Sequence, residues 1–275
     1  MHSLQTTGNL ARRVLPARAK NFLKHLIHHQ TRTPEYRLSF PSSSDKSDKS
    51  PFPFAVNRNN LLEKLGEKYS PTKRMHNYLV YYWTHFRDIH TEVRSVVEIG
   101  VQTDRSIRMW EEFFPNATIY GFDIDPKCKQ FEGGRRKIFI GDQSDYSFLH
   151  QVVQESGGAF DIVIDDGSHL ISHQLKTFEF LFPRMSDHGI YVIEDTGGCV
   201  GDYSLTTVNA LKTLIDRIMY WPEGFEPKNW DHLSEFPDGT SWIARNIIGI
   251  AFYPWIAFIM RGRNPQDNPF LTPLP

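Results

Sequence analysis

From residue 93 onward the chain alternates short apolar runs with helical stretches, and run after run ends in a carboxylate. The runs are Val93–Ile99, Ala117–Phe122, Lys137–Ile140, Phe160–Ile164 and Gly189–Ile193. Helical patterns lie between them at Asp104–Phe114, Ser144–Glu155 and Leu170–Phe182. Short β-favouring runs separated by helices predict parallel βαβ units in one α/β sheet. Near the C-terminus, Ile247–Tyr253 and Trp255–Met260 are joined by a tight turn at Tyr253-Pro254. They are expected to close the sheet as an antiparallel pair at its edge.

The carboxylates make a site out of this pattern. Glu98, Asp123, Asp142, Asp165 with Asp166, and Glu194 with Asp195 all stand at strand ends. In an open parallel sheet, ligands bind across the carboxyl ends of the strands. Acids gathered there are unfavourable unless a ligand, a metal or hydrogen-bond donors satisfy them. Any one of them can simply cap the next helix. The whole set points to a ligand.

Asp123 follows Gly100 by 23 residues, the placement of an acid that accepts hydrogen bonds from ribose hydroxyls. The turn from Glu98 to Ser106 lacks the three-glycine dinucleotide pattern, and Asp104 at the start of the next helix would repel a phosphate. A nucleoside without phosphates is therefore expected, and S-adenosylmethionine fits. Asp142, in Gly141-Asp142-Gln143, is placed to accept from an adenine amine, the alternative being an ordinary exposed turn.

Asp165-Asp166-Gly167-Ser168-His169 follows the fourth strand, and Glu194-Asp195 follows the fifth. If these strands are neighbours, three carboxylates converge, and each raises the pKa of the others unless a cation intervenes. A hard dication with oxygen ligands answers this, Mg²⁺ by default; zinc lacks its Cys and His ligands here. The competing reading is a helix cap by Asp166 or Ser168, with Asp195 in a turn. His169, three residues past Asp166, is the candidate general base, because imidazole can accept a proton near neutral pH. His173, one turn later, reads as structural.

Composition narrows the rest. The chain has 275 residues, 40% of them hydrophobic, enough for one large domain with extensions and against wholesale disorder. Lys plus Arg number 31 and Asp plus Glu 32, so no basic excess argues for a nucleic-acid partner. Two cysteines, Cys128 and Cys199, are too few for a disulfide scaffold and fit a reducing, cytoplasmic compartment. No apolar run is long enough for a membrane span; 247–260 is apolar but short and interrupted by Pro254.

Residues 1–40 are basic, and Asn9–His29 carries Leu15, Ala19, Phe22, Leu23 and Leu26 at helical spacing. A mitochondrial presequence, a membrane-surface helix and an accessory helix packed on a neighbour all share this pattern; the accessory helix is preferred. Residues 41–56 begin with a Ser/Lys/Asp/Pro stretch and read as a linker. Residues 57–91 are expected to be helical, over Asn59–Glu67 and then Thr72 to about Ile89, with an aromatic stripe at Tyr78, Tyr81, Tyr82, Trp83 and Phe86. The sheet domain then covers 92–265, and 266–275 is a tail.

Several of these stretches resemble one family. VVEIGV at 96–101, IYGFDIDPKCKQFE at 119–132, IFIGDQSD at 138–145, FDIVIDDGSH at 160–169 and TFEFLFPRMSDHGIYVIED at 177–195 carry the likeness. So do the Lys73, His76, Tyr78 pattern and the closing IIGIAFYPWIAFIMRG at 247–262. Over about residues 70–262 the chain is similar to the metal-dependent, S-adenosylmethionine-using sugar O-methyltransferases of macrolide biosynthesis and their cephalosporin-hydroxylase-like relatives. The resemblance implies a Rossmann-like class I methyltransferase fold, with a mostly parallel seven-stranded sheet, an antiparallel C-terminal strand and an N-terminal helical extension. It implies Asp166, Glu194 and Asp195 as Mg²⁺ ligands and His169 as general base. Glu98, Gly100, Asp123 and Asp142 would line the cofactor pocket, and we place Gln102, Ser106, Gln143 and Asp165 there with them. The acceptor would be a small molecule with adjacent hydroxyls, and the assembly a homo-oligomer.

The chain departs from the family where Asp104-Arg105 replaces a usual Gly-Gly pair, crowding the place where the methionine moiety approaches. Two rival readings follow: a catechol-type methyltransferase of small phenols, or a degenerate member that keeps the fold for binding or assembly. Loops 197–206 and 222–239, with Trp221, Phe225, Trp230 and Phe236, are expected to choose the acceptor.

Overall fold

The computed structural model describes residues 59–197, 206–218 and 246–262. The expected basic helix at 9–29, the linker at 41–56, the tail, and nearly all of the two acceptor loops with their Trp and Phe residues lie outside the described residues.

Seven strands form one sheet in the order β3-β2-β1-β4-β5-β7-β6. β1 (Ser95–Ile99), β2 (Thr118–Asp123), β3 (Arg136–Ile140), β4 (Phe160–Asp165) and β5 (Met185–Glu194) are parallel. β7 (Ile256–Arg261) runs antiparallel to β5 and to the edge strand β6 (Ile247–Tyr253). The expected closing pair is therefore present, turning through Tyr253-Pro254-Trp255, with Trp255 at φ 67°.

Side chains alternate across each strand, and so the sheet buries both faces. Val96, Ile119, Ile164, Val192 and Phe258 meet α1 (Leu61–Tyr69), α3 (Leu79–Phe86) and α4 (Asp104–Phe113) through Leu62, Leu65, Tyr82, Phe86, Trp110 and Phe113. On the opposite face Val97, Ile99, Val163, Tyr191 and Ile193 meet α5 (Tyr146–Ser156), α6 (Ile171–Leu181) and α7 (Thr207–Ile218) through Leu149, Val152, Phe178, Leu181, Leu211 and Leu214.

One expected helix is broken in two. The segment from Thr72 forms α2 (Thr72–Met75), then turns at His76–Tyr78 before α3 begins. Asn77 adopts φ 61°, a left-handed conformation that Asn tolerates better than most residues. The break lets Lys73 and Tyr78 both reach the carboxyl ends of the strands, which a continuous helix would not place together. Asn60 caps α1 by accepting from the Glu63 amide at 2.9 Å, so that helix starts at Leu61 rather than Asn59.

Candidate active site

The turn after β1 packs directly on the turn after β4. Gly100 has φ 89°, and a Cβ there would lie 2.1 Å from the Asp166 carbonyl oxygen. The Asp166 amide donates to the Ile99 carbonyl at 3.0 Å. Only glycine allows this approach. Above it opens a cleft of about 430 Å³, lined among others by Gly100, Gln102, Ser106, Asp123, Asp142, Gln143, Asp166, His169 and Asp195.

The first half of the cleft is held by backbone donors. The Asp123 carboxylate accepts from the amides of Gln102 and Asp125, each at 2.8 Å. Asp142 accepts from the Ser144 amide at 2.7 Å, and that bond holds its pKa below the usual aspartate value. The Gln143 side chain donates to Asp165 at 3.1 Å and accepts from the Ser168 amide at 2.8 Å, tying the β3 and β4 turns together.

Two residues expected in the cofactor pocket do not line the cleft. Glu98 and Asp165 are both fully buried, on opposite faces of the sheet. Glu98 accepts from Ser106 Oγ at 2.8 Å and Trp110 Nε1 at 3.2 Å. Asp165 accepts from Gln143 and, at 3.3 Å, from the Gly167 amide. Burial pushes Asp165 up to about 6 against those donors. A strand-end acid is not always a ligand contact: the alternation that brings Asp166 to the cleft turns Asp165 behind it. Both acids organise turns that form the cleft.

The second half is held by buried side chains. Lys73 is fully buried, and its ammonium contacts Asp166 Oδ2 at 2.5 Å, Glu194 Oε1 at 2.8 Å and Glu98 Oε1 at 3.1 Å. Burial would lower its pKa, but the carboxylates of Asp166, Glu194 and Glu98 hold it well above the ordinary lysine value. Glu194 also accepts from the Tyr82 hydroxyl. Burial, and after it the charge of Asp166, pushes Glu194 above the usual carboxylate range despite Lys73. Asp195, at φ 50°, accepts from the Tyr78 hydroxyl at 2.7 Å. Burial first, then this bond to Asp195, raises the Tyr78 pKa.

β4 and β5 are neighbours, as the metal reading requires. The group brought together at the cleft is nevertheless Asp166, His169 and Asp195, each offering a donor atom within 4.8 Å of the others. Glu194 does not line the cleft; it is buried, with Oε1 2.8 Å from the Lys73 ammonium that also contacts Asp166. His169 has φ 57°; its Nε2 lies 3.6 Å from Asp195 Oδ2, and its buried Nδ1 has no partner among the described residues. His173, the expected structural histidine, contacts Ser168 Oγ at 3.0 Å and also lines the cleft.

Sequence reasoning gave no role to Lys73, Tyr78 or Tyr82. Lys73 and Tyr78 were visible as part of a pattern, but nothing local marks a lysine for burial among acids. Tyr82 was read as one member of an aromatic stripe. Its ring does pack against Phe86, Trp110 and Phe258, while its hydroxyl serves the site.

The sheet order and the cleft over the carboxyl ends define a Rossmann-like class I methyltransferase fold. No protein-family model matches the chain. Mycinamicin VI 2''-O-methyltransferase of Micromonospora griseorubida is 35% identical over 226 residues, which cover 75% of this chain and 54% of that protein. Demethylmacrocin O-methyltransferase of Streptomyces fradiae is 32% identical over 230 residues, again 75% of this chain and 54% of that protein. The solved MycE methyltransferase from the mycinamycin pathway, in complex with Mg, SAH and mycinamycin VI, matches with a TM-score of 0.62 at 34% identity, covering 75% of this chain and 56% of that one. The chain is similar to these O-methyltransferases, and it spans about half the length of the curated relatives it matches.

Proposed function

We propose that this chain transfers a methyl group from S-adenosylmethionine to a hydroxyl of a sugar or another vicinal diol in a natural product, with Mg²⁺ at the site. The observation that carries this reading is the meeting of Asp166, His169 and Asp195 at one rim of a cleft whose other rim presents Asp123 and Asp142. The relatives' names, and the Mg and SAH of the MycE complex, point the same way.

The residues present fit both groups. Two hard carboxylates face the cleft at Asp166 and Asp195, with Glu194 adjoining them, a donor set suited to Mg²⁺ rather than to a soft metal. Asp123, with both oxygens oriented by amides, suits a ribose diol. On this reading Asp166, Glu194 and Asp195 hold the dication, which when bound lowers the pKa of an acceptor hydroxyl.

His169 removes the hydroxyl proton. The oxygen forms its bond to the methyl carbon as the carbon–sulfur bond breaks, and the electron pair stays on sulfur. Tyr78 orients Asp195, and Lys73 orients Asp166 and Glu194, so the chain's part is to fix the acceptor in line with the donor.

We place the methyltransferase unit at 92–265, with 57–91 supplying Lys73, Tyr78 and Tyr82 to its site. We place its work in the cytoplasm and its assembly as a homo-oligomer, to be checked by cell fractionation and sedimentation. Incubation with labelled S-adenosylmethionine and a panel of glycosides and catechols, with and without EDTA, tests the main reading. Label transfer to glycosides that EDTA abolishes is the expected result. Transfer confined to catechols, or transfer indifferent to EDTA, rejects it.

A further inference from the structure

The cleft carries its charges unevenly. Asp123, Asp142, Asp166 and Asp195 line it from the strand ends, and Arg105 is the one lysine or arginine among the described residues that line it. Arg105 lies in the first turn of α4, directly after the turn that holds Gly100 and Gln102. Its guanidinium donates from Nη1 to the Ser70 carbonyl at 3.4 Å. That long bond to a neutral acceptor leaves most of the five N–H donors of a guanidinium for a ligand. Acids close by have other cations: Asp104 pairs with Arg108 at 3.3 Å, and Glu67 pairs with Arg74 at 3.1 Å.

Asp104 and Arg105 diverge at the start of this helix. Asp104 turns along the helix to Arg108 and does not line the cleft. Arg105 stands between the cleft and a second cavity lined by Glu63, Glu67 and Ser70, and brings a fixed positive charge to the edge of an otherwise acidic space. Ser106 Oγ, the neighbouring hydroxyl, is engaged by Glu98.

We propose that Arg105 binds the carboxylate of the amino-acid half of the methyl donor. The inference rests on the donor reading above. A guanidinium can meet a carboxylate with two parallel charge-assisted hydrogen bonds, stronger than the single bond to Ser70 that it would give up.

Calorimetry on the full chain tests it with two ligands. S-adenosylhomocysteine carries the amino-acid carboxylate, whereas 5′-methylthioadenosine keeps the nucleoside and sulfur but lacks it. Arg105 is exposed, so its variants fold. Arg105→Gln is expected to weaken S-adenosylhomocysteine about tenfold while leaving 5′-methylthioadenosine within about twofold. Arg105→Lys is expected to fall between, since a lysine keeps the charge but not the fork. Equal weakening of both ligands, or of neither, overturns the proposal while leaving the donor reading standing. A wild-type chain that binds neither ligand overturns the donor reading itself, and this inference with it.

Discussion

The two rims of the cleft are built by different means. At the β1–β3 rim, acids are held by backbone amides: Asp142 by Ser144 two residues on, and Asp123 by Asp125 two residues on and by Gln102 in the turn after β1. At the β4–β5 rim, acids are held by buried side chains from α2, α3 and the turn between them, across 93 residues for Lys73 and Asp166, 112 for Tyr82 and Glu194, and 117 for Tyr78 and Asp195. Backbone donors leave the first rim replaceable without disturbing the core. The second rim is part of the core, so its chemistry and its stability are one network. Function and folding should separate at one rim and not at the other.

The largest effect expected is on turnover. His169→Ala removes the proposed base without removing a buried ion pair, so we expect turnover to fall by roughly 10² to 10⁴-fold. Calorimetric binding of S-adenosylhomocysteine should change little. A variant with near-normal turnover would show that the proton leaves by another route.

Lys73→Met sharpens the contrast most directly. It leaves Glu98, Asp166 and Glu194 without their shared cation, and breaking a buried ion pair in this way destabilises a fold by roughly 3–5 kcal/mol. Urea denaturation measures it. Lys73→Arg should recover only part, because a planar guanidinium does not fit where one ammonium meets three acids. A fall below about 1 kcal/mol, the range of an exposed pair, would break the distinction between the rims.

That distinction also explains what the sequence could and could not disclose. The alternating runs predicted all five parallel strands and the closing pair because apolar periodicity is a local signal. Asp123 and Asp142 could be placed at strand ends for the same reason, Asp123 closing β2 and Asp142 following β3. The partners of Lys73, Tyr78 and Tyr82 are not local: each lies about a hundred residues away along the chain. Glu98 and Asp165 do not line the cleft because each lies within its strand and is buried against a packed face of the sheet, whereas Asp166 follows the strand.

Asp123→Ala is the counterpart of Lys73→Met at the other rim. It deletes an exposed-side acceptor whose donors, the amides of Gln102 and Asp125, can turn to water. We expect S-adenosylhomocysteine affinity to fall by roughly tenfold to a hundredfold, from two lost ribose hydrogen bonds. The urea midpoint should stay close to wild type. If both affinity and stability fell together, the β1–β3 rim would be as much a part of the core as the other.

The smallest effect tests the boundary between the rims, at Asp165. Its folded pKa, raised by burial to about 6, exceeds the value of an unfolded aspartate near 3.9. The folded chain therefore holds this proton more tightly than the unfolded chain. The associated stability is complete below about pH 4 and is lost as pH rises toward 6, the reverse of an ion-paired aspartate. Asp165→Asn removes the titration while keeping an oxygen for the Gln143 and Gly167 donors. Stability plotted against pH should then lose a downward slope between about pH 4 and 6 that wild type shows. A slope unchanged by the substitution would mean that Gln143 and Gly167 hold Asp165 ionised throughout, and the buried network would end at Asp166 rather than extend through Asp165 to the turn after β3.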